Sequence, residues 1–158
     1  LKPETKLLII GVIAIVVLLG VPALVAKIYR SDGKLTAAQK RTIEQRARDL
    51  AMVGQLEYGV LDGNVLVPVV DYRMENAANM AESSCMHVNG HALYYRISVN
   101  ERLAAKCFDD VMRYTMPHEV GHLLVCQFSE KWQQHDAEWS NAVRFLGADP
   151  QEFHKCTQ

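Results

Sequence analysis

The chain has 158 residues, of which 49% are apolar, 22% charged and 8% aromatic, with 17 Lys+Arg against 18 Asp+Glu. That length holds one domain of ordinary size and excludes a multidomain enzyme. The formal charge of −1 excludes a bulk polycation for nucleic acid and an acidic disordered tail alike.

The apolar residues are concentrated near the start. Residues 7–26 read LLIIGVIAIVVLLGVPALVA, 20 residues without a charge, bounded by Lys6 and Lys27. A bilayer core is crossed by about 20 apolar residues in a helix, and a soluble core helix is rarely apolar all round. The run is longer than the core of a typical signal peptide, and Leu24 at the −3 place makes a poor cleavage pattern near Ala26. The sequence therefore predicts a single transmembrane anchor in residues 1–30, kinked near its end by Pro22, and a separate domain over residues 31–158. Lys27, Arg30, Lys34, Lys40 and Arg41 follow the run, against Lys2 and Lys6 before it, which predicts a cytoplasmic domain. One span tied to so small a domain also points to a larger membrane or virion assembly around it.

Beyond residue 30 the chain carries 13 Lys+Arg and 17 Asp+Glu, a net −4, which leaves no strong case for nucleic acid. Cys85, Cys107, Cys126 and Cys156 form no CxxC pair. They fit reduced thiols in the cytoplasm or two disulfides outside it.

Ser31-Asp32-Gly33 reads as a hinge. Thr36 and Gln39 form a capping box for a helix that buries Ile43, Ala47, Leu50 and Gly54 and ends near Val53. Lys40, Arg41, Arg46 and Arg48 lie off that stripe, as a solvated face or a surface for phosphate or lipid headgroups. Residues 64–73 form a β-branched run that Pro68 demotes to an edge strand. The small polar stretch ENAANMAESS reads as a loop. SCMHV and HALYYRISV flank Asn89-Gly90, a strong hairpin pattern. His87 and His91 sit beside that turn, as exposed residues or as a metal pair. Asn100 caps a short helix. A longer helix follows from Asp109, bent or restarted at Pro117. A last helix opens at His135 or Asp136 and is closed by Gly147 and Pro150. The order is that of an α+β fold.

His118-Glu119-Val120-Gly121-His122 is an HExxH pattern. Four residues apart on a helix leave about 40° of angular offset, so both imidazoles point one way and can bind one Zn²⁺. Glu119 stands one step round, placed to reach a water at the metal and act as general base. The flanking Val111, Met112, Leu123, Leu124 and Val125 make this a core helix, where uncompensated polar groups cost about 1–3 kcal/mol each. Gly121 costs about 1 kcal/mol in a helix, which a close neighbour on that face would explain. A catalytic zinc takes three protein ligands and a water. Downstream candidates are His135, Asp136, Glu138 and His154, with His135 first because 12 residues after His122 allow the chain to turn back.

MPHEVGHLLV, then His135, Glu138-Trp139, Leu146-Gly147 and His154, resembles the SprT family of zinc metallopeptidases, which includes the Spartan proteases. Residues 97–100, a strand ending in Asn, and the small residues 77–81 fit the same pattern, so the resemblance spans about residues 35–156. It implies a small zincin-like α+β domain with an N-terminal helix, a three-stranded sheet with a hairpin, the HExxH helix and a C-terminal helix. It implies that His118, His122 and His135 hold zinc, Glu119 is the general base, Trp139 packs beneath the site and His154 helps stabilise the oxyanion. Asp136 stands where the family usually has Gly, as a partner for a ligating histidine or as a cap. The expected function is a membrane-anchored zinc endopeptidase that takes a protein or peptide substrate beside an edge strand such as residues 64–73. The alternative is a non-catalytic accessory subunit built on the same scaffold.

Overall fold

The computed structural model describes residues 33–58, 67–73, 78–88, 91–129 and 131–150, apart from the side chains of 87–88 and 91–93. The expected transmembrane run at residues 7–26 and His154 lie outside the described residues. Among the described residues, no helix is long and apolar enough to cross a membrane. The chain divides into Leu1–Gly33 and Lys34–Gln158, and the elements below belong to the second unit.

Helix α1 (Ala37–Tyr58) starts at a reciprocal cap. The Thr36 N–H donates to Gln39 Oε1 at 2.9 Å, and the Gln39 N–H donates to Thr36 Oγ1 at 3.2 Å. Ile43, Ala47, Leu50, Ala51 and Gly54 form its buried stripe. The helix runs past the expected end near Val53 to Tyr58, with Gly54 inside it. A Cβ at Gly54 would collide with the Leu124 side chain, so its absence is what lets α1 lie against the HExxH helix. Lys40, expected on a solvated or headgroup-binding face, is instead paired, its Nζ 2.7 Å from Glu101 Oε1 and over the Tyr72 ring.

The sheet has the order β1-β3-β2, from β1 (Val69–Asp71), β2 (Ala81–Val88) and β3 (His91–Val99). β2 and β3 pair antiparallel, with Val88 opposite His91, so Asn89 and Gly90 connect them. β1 pairs parallel with β3 and is shorter than the run expected over residues 64–73. Pro68, which has no N–H to give a ladder, immediately precedes it. The stretch expected as a loop enters β2 at Ala81. Ala81 and Ser83 are buried while Glu82 and Ser84 are exposed, so the period of two is carried by small residues rather than by large apolar ones.

Asn100 caps α2 (Glu101–Lys106), its side chain accepting the Leu103 N–H at 3.2 Å. The single turn α3 (Phe108–Asp110) leads into a π turn (Val111–Thr115) and then α4 (Met116–Cys126), which carries the HExxH motif. Pro117 sits in the first turn of α4, where it has no N–H for the carbonyl four residues back and its ring crowds that carbonyl. The wider π turn relieves this, with the Met116 N–H donating to Val111 O. In α5 (Ala137–Phe145), the Asp136 side chain accepts the Trp139 N–H at 3.0 Å, and Gly147 leaves the helix with φ 83°.

Every residue of α4 except His118 is buried. α1, α5 and β2 pack around it. A disulfide joins Cys85 of β2 to Cys126 at the end of α4, and Cys107 is disulfide-bonded as well. Of the two states left open by the sequence, the structure shows the oxidised one. The Cys85–Cys126 bridge spans a sequence separation of 41. Closing a loop of that size in the unfolded chain is worth about 4 kcal/mol. The double variant Cys85→Ala/Cys126→Ala is accordingly expected to unfold at clearly lower denaturant concentration than the wild type. In the wild type, alkylation should label no cysteine until a reductant is added.

Candidate metal centre

α4 presents His118 and His122 on one face, one turn apart. α5 and the turn before it bring His135 to the same point. The three Nε2 atoms form a nearly equilateral triangle, with sides of 3.3 Å for His118–His122 and 3.2 Å for His122–His135 and His118–His135. In a tetrahedral site with metal–nitrogen bonds of about 2.0–2.1 Å, neighbouring nitrogens stand about 3.3–3.4 Å apart. The triangle therefore has the dimensions of one face of such a site, with the fourth corner left to a water or substrate.

The tautomer agrees. His122 Nδ1–H donates to the Trp132 carbonyl at 2.7 Å, so Nε2 keeps its lone pair and faces the other two rings. Burial pushes the His122 imidazole down to about 4, which keeps it neutral as a ligand must be. Trp139 forms the floor. It is 1% exposed, its ring centroid lies 4.3–5.4 Å from all three imidazoles, and its indole N–H donates to His118 O at 3.3 Å. The close approach that allows this is at Gly121, where a Cβ would stand 2.7 Å from Val143 Cγ2.

Glu119 is buried on the neighbouring face of α4 and accepts hydrogen bonds from the side chain and the backbone N–H of Ser83 on β2. Burial pushes its carboxyl up to about 7. The Ser83 hydrogen bonds pull it down and the Glu82 charge adds to the rise. A cleft of about 590 Å³ opens over these groups. His118, His122, His135 and Glu119 line one side, Ala81, Glu82 and Ser83 of β2 the other, and Trp132 and Gln133 the rim.

Residues 55–157 match the family described as SprT-like. The chain belongs to the SprT-like family. No curated protein and no solved structure gives a significant match. The match covers the sheet and every element of the site, and starts within α1 rather than at residue 35.

Within this SprT-like domain, His118, His122 and His135 bring three ligand-type nitrogens within 4.8 Å of one another, an arrangement that could hold a metal ion. Asp136 acts as the cap of α5, and Glu138 is exposed in its first turn, so neither of these second-choice ligands joins the cluster. The side chains of His87 and His91 lie outside the described residues. Two participants have no counterpart in the sequence reading, the Trp132 carbonyl and Ser83. A backbone acceptor leaves no trace in residue identity, and Ser83 falls in a stretch that reads as a loop.

Two outcomes follow for the full-length protein. It should carry one metal ion per chain, lost in His118→Ala and in His135→Ala by elemental analysis. The second concerns the metal-free protein after chelation. Glu119 holds a proton in the folded state up to about pH 7, whereas in the unfolded chain it gives that proton up near pH 4.3. Stability therefore falls as pH rises through that window. Glu119→Gln should melt higher than wild type above pH 7, and the difference should vanish below about pH 4.

Proposed function

We propose that the protein is a zinc-dependent endopeptidase acting on an extended segment of a protein or peptide. The observation that carries this reading is the placement of a buried carboxyl with a raised proton affinity, Glu119, in the same cleft as three converging imidazole nitrogens. A scaffold that needed metal only for stability would have no use for that carboxyl. Zinc suits an all-imidazole set with one open corner, and when bound it supplies a Lewis acid that acidifies water and polarises the scissile carbonyl.

The residues of this chain do the rest. Glu119 takes the proton from the attacking water and hands it to the leaving amine, a task served by a carboxyl whose affinity lies near neutral pH. Trp139 and the Trp132 carbonyl hold the imidazoles in place. Among the described residues β2 is an edge of the sheet, and it lines the cleft where β1 does not. The substrate strand is therefore assigned to β2 by strand addition, and not to residues 64–73 as the sequence suggested. His154 as an oxyanion donor rests on the family resemblance alone.

The apolar run at residues 7–26 supports a membrane anchor, and with it a larger membrane or virion assembly. The disulfides support a domain on the oxidising side of that membrane, against the cytoplasmic side that the flanking cations favour. The decisive test uses the full-length chain in mild detergent with unfolded casein as probe. Wild type should cleave it, and Glu119→Gln should keep the metal and lose cleavage by at least 10²-fold, the scale of general-base catalysis. Equal cleavage by both would refute Glu119 as the base. A metal-loaded wild type that cleaves nothing would favour the accessory-subunit reading.

A further inference from the structure

We propose that Ser83 is the positioning residue for Glu119, holding its carboxylate toward the open side of the histidine cluster. This rests on the peptidase reading for its consequence, though not for its geometry. A glutamate side chain has three rotatable bonds, and one facing a cleft of about 590 Å³ has room to turn away from the metal position. Ser83 removes that freedom with two donors from one residue, its hydroxyl and its backbone N–H, both given to the Glu119 carboxyl. Two anchored points fix a carboxylate in orientation as well as in place.

Ser83 is itself held from two directions. On one side it pairs with Ile97 of β3. On the other, Cys85, two residues along β2 on the same face, is joined covalently to Cys126 of α4. β2 and α4 are thus clamped together next to the Ser83–Glu119 contact, and both residues are buried, at 7% and 6% exposure. The strand that lines the cleft is also the strand that aims the base, so a substrate seated along β2 and the carboxyl that acts on it share one frame. A displacement of about 1 Å at a catalytic group costs on the order of 10²-fold in rate.

The test uses the full-length chain, unfolded casein and the variants Ser83→Ala and Ser83→Thr. Alanine removes one donor and keeps the N–H. Its kcat should fall on the order of tenfold, the loss of one hydrogen bond to a charged group, with KM and metal content unchanged. Threonine keeps the hydroxyl and suits a strand, and should restore most of the rate. Independently of activity, the Ser83 amide proton resonance should move upfield in Glu119→Gln, because a neutral amide is a weaker acceptor than a carboxylate. Wild-type rates in Ser83→Ala, or lost metal or raised KM without a change in kcat, would overturn the proposal. So would an unmoved Ser83 amide. If wild type cleaves nothing, the peptidase reading fails on its own, and the amide resonance alone decides whether Ser83 holds Glu119.

Discussion

Whether the three histidines meet depends on how closely α5 can approach α4. Two helices ordinarily pack 8–10 Å apart with side chains between them. At Gly121 there is no side chain on the α4 face, and Val143 and Trp139 fill the space that a Cβ would take. That contact places the Trp139 ring under all three imidazoles and sets the start of α5 two residues after His135. A glycine that weakens α4 as a helix is thus what allows α4 to supply two of the three converging imidazoles. Gly54 plays the same part on the opposite side, where α1 closes over Leu124.

The second constraint is the burial of charge-bearing groups on a helix that is otherwise core. An ionised carboxylate is costly to bury unless hydrogen bonds compensate, and Glu119 receives both of its identified bonds from Ser83 of β2. The compensation is partial, since its proton affinity stays well above that of an exposed glutamate. The histidines show a related balance. Their three Nε2 atoms stand 3.2–3.3 Å apart, and a cation at their centre would take up the lone pairs turned toward it. The buried carboxyl lowers the stability of the metal-free domain as pH rises toward 7. The Cys85–Cys126 bridge ties together β2 and α4, the two elements that supply Ser83 and Glu119.

Local devices were legible before the fold was known. The Thr36–Gln39 box, the Asn100 cap and the Gly147 stop depend on neighbours within four residues, and each stands where the side chains indicated. The break at Pro117 is equally local, although its form as a π turn is not. The features that the sequence hides depend on contacts far along the chain. The first half of β2, over residues 81–84, reads as a loop because Ala81 and Ser83 are small, and they are small where α4 packs against the strand. The reason α1 carries Gly54 in its buried stripe is likewise remote, since it appears only when Leu124 is seen against it.

The sequence by itself determined the HExxH pair and made His135 the first candidate to join it, because these follow from helical spacing and the length of the returning chain. Only the tertiary structure decided that Asp136 caps α5 and stays out of the histidine cluster, that the cysteines of β2 and α4 pair, that β2 rather than β1 borders the cleft, and that Ser83 meets Glu119. The reason is the same in each case. Periodicity and capping express forces between residues close in sequence. A hydrogen bond between residues 36 positions apart, or a disulfide across 41, depends on how two elements pack, and no residue identity encodes that alone.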